Sequence, residues 1–109
     1  SSERFKENIL DLDASRLTNA GLVRIVSFDW KANLPGPNDD LFTPGVGTGS
    51  DIGVIAEEVD ILLPECVNKN NSGEITGVDY GKLATMIGAN LLERMAALEQ
   101  RVTDLETPA

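Results

Sequence analysis

The chain has 109 residues, 41% of them hydrophobic and 25% charged, which is enough for one small domain with one modest core. Its formal net charge is −9 and it has no basic stretch, which argues against nucleic acid as a partner; no apolar run approaches the roughly 18 residues of a membrane span, so no membrane partner is expected either. The absence of histidine removes Ser-His-Asp and Cys-His catalysis and the usual zinc sites, and a single cysteine removes an internal disulfide framework.

Residues 1–8, SSERFKEN, are polar and unlike a secretory leader. After a short apolar-acidic stretch at 9–13, Asp13 predicts the cap of a short helix that runs through Ala20 and ends at Gly21. LVRIVSFDWK at 22–31 reads as a strand, with Val26, Phe28 and Trp30 on one face and Ser27, Asp29 and Lys31 on the other. Residues 32–51 hold three prolines and four glycines, too long a stretch for a hairpin loop. They are expected to protrude as a loop, tacked to the body by Leu41, Phe42 and Val46.

IGVI at 52–55 reads as a second strand. AEEVDILL at 56–63 has helical spacing, with Val59, Leu62 and Leu63 on one side, and Pro64 stops it. Cys66, between Pro64 and Val67, is expected to be a buried structural thiol rather than a reactive one. CVNK and EITGV flank Asn70–Gly73, a hairpin turn. Asp79 then caps a helix over 80–106. The expected organisation is one domain over 1–109, with a globular body at 1–78 and a long helix at 79–106.

That helix has an assembly signature. Leu91, Met95, Leu98, Val102 and Leu105 recur at alternating gaps of four and three, a coiled-coil seam with Leu at d and Met or Val at a. Arg94 and Arg101 fall at g, and Glu99 and Glu106 at the e positions five residues on. In a parallel coil these become matched pairs between chains. The first half of the helix leaves the seam, with Leu83 and Ile87 apolar and Gly88 at an a position, and is expected to pack on its own domain. Heptad chemistry alone leaves two or three strands open, and leaves a helix folded back on its own core as the alternative. The fold class is α+β: a small body of short strands and helices with a long C-terminal helix that forms a parallel coiled coil.

Several segments resemble a known family in register. SSERFKENI resembles an opening of the form Ser-Asp-x-Arg-Leu-Lys-x-Asn-Ile, with Ser1, Arg4, Lys6, Asn8 and Ile9 matching. IGVIAEEVDILLPECV at 52–67 and VDYGKL at 78–83 resemble later segments of the same family. Ser2 stands where Asp is usual, Phe5 where Leu is, and Glu57 where Gln is common. The family is the intramolecular chaperone auto-processing domain at the C-terminus of phage tailspikes and tail fibres.

The resemblance implies a three-chain assembly with a fibre as the upstream part of the same polypeptide. It implies serine autoproteolysis just before Ser1 by a dyad of Ser1 and Lys6, in the host cytoplasm during virion assembly, with no cofactor and no metal. On that reading a chain starting at Ser1 is the released product of a single turnover. A free lysine amine loses its proton only near a pKa of about 10.4, so a lysine base near neutral pH requires a buried or cationic environment. Assembly is expected to complete that environment. A trimerisation foot without cleavage, or a coiled-coil interaction module, are the alternatives.

Overall fold

Side-chain caps set where the first and last helices begin. In the computed structural model, which describes residues 1–31 and 49–107, Asp13 Oδ1 accepts from the Ser15 amide and hydroxyl, each at 2.9 Å, and helix α1 covers Ala14–Ala20. Asp79 Oδ1 accepts from Lys82 N at 3.0 Å, and the long helix α3 covers Tyr80–Glu106. Between them lie strands β1 (Val26–Asp29) and β2 (Ser50–Gly53), helix α2 (Ala56–Leu62), and strands β3 (Val67–Lys69) and β4 (Ile75–Val78). Short 3-10 turns stand at Glu3–Phe5 and Pro64–Cys66. The chain is therefore α+β, with short strands and a long C-terminal helix. The protruding loop expected at 32–51, with its apolar Leu41, Phe42 and Val46, lies outside the described residues except for 49–51.

The strands form two separate antiparallel pairs. β1 pairs with β2 from Val26↔Gly53 to Asp29↔Ser50, and Trp30 N donates to Gly49 O at 2.8 Å just past the ladder. The strand expected over 22–31 is thus cut to four residues, because its partner supplies only four. The strand expected at 52–55 begins two residues earlier instead, since Val54 and Ile55 lead into α2 and Ile55 is its cap. The predicted face holds: Val26, Phe28 and Trp30 are half-buried and Ser27 and Asp29 exposed. β3 and β4 make the expected hairpin. Asn70 Oδ1 accepts from Ser72 N and Glu74 N at 3.0 and 2.9 Å, and Gly73 takes the positive φ of 83° that the turn needs.

The core is small and lies where α1, α2, the 64–66 turn and α3 converge. Leu63 and Cys66 are fully buried, with Val59, Ala20 and Leu83 around them. Val23, Val54, Leu62, Val67, Val78, Met86 and Ile87 pack against this cluster. So Val59, Leu62 and Leu63 do share the inward side of their segment, and Pro64 does end it. Burial pushes the Cys66 thiol up, with the Glu65 and Asp79 carboxylates adding to the effect; it is a packed, inert thiol.

Polar ties then fix the elements to one another. Asn19 Nδ2 donates to Leu62 O at 3.2 Å and satisfies a carbonyl at the end of α2. Arg16 pairs with Glu65, and Arg24 grips Glu58 with two hydrogen bonds of 3.0 and 2.5 Å. Gly21 ends α1 as expected, but its φ of −72° is open to any residue. Its bare Cα serves close approach instead: a Cβ there would lie 2.8 Å from Oδ1 of Asn90, a buried residue on α3.

Candidate active site

The first six residues fold back on themselves. Ser2 Oγ accepts from Arg4 N at 3.4 Å, Phe5 N donates to Ser2 O at 3.2 Å, and Lys6 N donates to Glu3 O at 2.9 Å. This single 3-10 turn carries the lysine back toward the chain start, and Lys6 Nζ lies 3.4 Å from the backbone carbonyl of Ser1. The Arg4 guanidinium sits over the Phe5 ring at 4.6 Å. The two residues singled out from the sequence are thus neighbours in space, joined through the Ser1 carbonyl.

Ser2 and Asn8, noted in the sequence only for how they compare with the family's opening, hold this shape. Ser2 caps the turn, which occupies its hydroxyl; among the described residues the Ser1 hydroxyl has no hydrogen-bond partner. Asn8 takes a φ of 53° in the left-handed region and turns the chain just past Lys6. Asn tolerates that region better than other residues with a Cβ, and this preference was the available signal.

The turn is unsupported by its own body. Every residue from Ser1 to Ala14 is exposed, including the large apolar side chains Phe5, Ile9, Leu10 and Leu12. Water therefore surrounds Ser1 and Lys6 in the single chain.

Elsewhere, a groove of about 460 Å³ runs between the 64–66 turn and α3, walled by Cys66, Gly81, Thr85 and Met86 with Glu65 and Lys82 at its rim. A smaller cavity of about 250 Å³ is lined by Phe28, Trp30 and Tyr80, the first two rings meeting edge to face at 4.9 Å. Neither includes Ser1 or Lys6. Among the described residues no three Cys, Asp or Glu side chains gather as metal ligands, and no described helix is long and apolar enough to cross a membrane.

α3 changes character along its length. Leu83 and Asn90 are buried and Met86 and Ile87 pack on the core, whereas Leu91, Met95, Leu98, Val102 and Leu105 are each half exposed or more. No described residue folds back over that seam.

Residues 1–68 match the model of a peptidase family described as chaperone of endosialidase. The match takes in the Ser1–Lys6 turn, α1, β1, β2 and α2. The resemblance seen at 78–83 lies beyond it, as does α3.

Proposed function

Since the chain belongs to the family described as chaperone of endosialidase, we propose that it is the C-terminal intramolecular chaperone of a phage tail fibre or tailspike, which joins three copies of its parent during folding and then frees itself by cutting the bond before Ser1. The observation that carries this reading is the turn that brings Lys6 Nζ to 3.4 Å from the Ser1 carbonyl, one peptide unit downstream of the bond to be cut.

The chemistry follows from that placement. The Ser1 hydroxyl attacks the carbonyl carbon of the preceding residue, and the Lys6 amine, once neutral, takes the hydroxyl proton. The C–N bond breaks, the proton passes to the departing Ser1 nitrogen, and the upstream acyl group is left as an ester on Ser1 Oγ. Water hydrolyses that ester and restores the serine. The fixed cap role of Ser2 supports Ser1 as the nucleophile. No cofactor enters the scheme.

Assembly and cleavage are linked through solvent. A lysine serves as a base near neutral pH only in a buried or cationic environment, so the dyad needs something to cover it. The open seam on α3 supports assembly as the covering event, with Arg94–Glu99 and Arg101–Glu106 pairing between parallel chains. Three tethered fibre chains then meet at an effective concentration of about millimolar order, and their β-structure starts in register. The process belongs to the host cytoplasm during virion assembly.

The test is a gel of the parent, extended upstream of Ser1, as wild type, Ser1→Ala and Lys6→Ala. Wild type should yield a fragment that begins at Ser1, while both variants stay whole and assembled. Cleavage in both variants, or none in wild type, would leave the module as an assembly foot without peptidase chemistry.

A further inference from the structure

Two surfaces are left open in the folded chain, and they complement each other. One is the segment after the dyad, where Phe5, Ile9, Leu10 and Leu12 project into solvent, Leu10 at 87% exposure. The other is the groove between the 64–66 turn and α3. Its volume of about 460 Å³ falls in the range, roughly 300–1,000 Å³, of cavities that enclose a cluster of apolar groups. Its walls of Met86, Thr85, Gly81 and Cys66 suit aliphatic side chains.

The charges match as well. Among the described residues the ion pairs are Arg16–Glu65, Arg24–Glu58 and Lys69–Asp60; Lys82, near Glu65 on the rim, stands outside them. Glu7 and Asp11 of the segment flank its apolar residues and are likewise outside these pairs.

The seam tells which chain fills the groove. Running the heptad back from Leu91 puts Gly81 at a, Lys82 at b, Thr85 at e and Met86 at f, so the groove opens on the e side of α3. Leu83 and Asn90 fall at c and Ile87 at g, so α1, which packs against α3 there, sits on the g side. In a parallel coil the g flank of one helix faces the e flank of the next. Each body is thereby turned toward the groove of its neighbour.

We propose that the Phe5–Leu12 segment of one copy seats in the groove between the 64–66 turn and α3 of the next copy, so that the Ser1–Lys6 turn is closed by a neighbouring chain. This rests on the parallel assembly proposed above. It makes the site incomplete in any single chain and gives cleavage a direct dependence on a correctly placed neighbour.

Cross-linking between copies tests it. Chains carrying only Leu10→Cys are mixed, unfolded and refolded with chains carrying only Thr85→Cys, then treated with a short bismaleimide. Both positions are exposed, so folding is not at stake, and wild type controls for the buried Cys66. A two-chain product from the mixture, absent from either variant alone, is the expected result. A cross-link within one chain of the double variant Leu10→Cys/Thr85→Cys, with none between chains, overturns the proposal in favour of the chain's own groove. An equal yield from Leu10→Cys alone overturns it in favour of segments clustered with one another. An assembly by light scattering with no cross-link overturns the docking but leaves the assembly standing; a monomer overturns both. None of these outcomes depends on whether Ser1 and Lys6 cut.

Discussion

The two halves of α3 share one backbone and obey different masters. In its first half Leu83, Met86 and Ile87 face a core built with α1, α2 and the 64–66 turn, and Leu83 is 2% exposed. From Leu91 to Leu105 the apolar residues face nothing in the described chain, and Leu105 is 82% exposed. Helical structure is continuous across the join, so secondary structure says nothing of this division. The partner of each stripe does: the first half is stabilised by folding of one chain, and the second, on the assembly proposed above, by association between chains.

That contrast can be broken deliberately. The largest effect expected is from Leu98→Asp, which sets a carboxylate at a d position in every copy. Sedimentation should show the assembly reduced to monomer while circular dichroism keeps the body's signal; an unchanged assembly would mean that the seam is not the contact.

Next comes Leu63→Ala, inside the core, which should cost about 2–5 kcal/mol in urea unfolding. Its cost should persist at every protein concentration, whereas stability lost through the seam should vanish on dilution. Equal concentration dependence for both variants would erase the distinction between the halves.

Smaller again is Gly21→Ala. The new Cβ would meet Asn90 Oδ1 at 2.8 Å, and overpacking of this kind costs about 1–3 kcal/mol. A double variant with Asn90→Ala should recover part of that loss, measured as a coupling between the two changes. Strict additivity would mean that the two side chains do not compete for the space.

The smallest effect is electrostatic. Hydrogen bonds from Arg24 and Arg16 hold the Glu58 and Glu65 carboxyls below their ordinary value of 4.5. Over that interval the unfolded chain binds more protons than the folded one, so the contribution is complete above pH 4.5 and fades as pH falls through the folded values. Arg16→Met and Arg24→Met should therefore weaken the body modestly at pH 7, the pairs being exposed, and converge with wild type in acid. A deficit that stays constant down to pH 2 would assign the loss to packing of the arginine stems instead.

Much of this was legible because punctuation residues act locally. Asp13, Asp79 and Pro64 each fix a helix boundary through their own hydrogen bonds or lack of one, and α1 and α3 begin where the caps require. Strand limits depend on a partner distant in sequence: nothing in LVRIVSFDWK reveals that only four residues of β2 will pair with it. The candidate site divides in the same way. The Ser1–Lys6 spacing is readable, and the turn that joins them is local. Their exposure is not readable, because it is set by what the rest of the chain fails to cover.

The β1–β2 ladder, closed by the Trp30–Gly49 hydrogen bond, has a topological consequence. Trp30 and Gly49 are thereby held side by side at the end of the ladder. The distance between the Ser1–Lys6 turn and α3 is therefore set across the β1–β2 ladder, by the residues on either side of it.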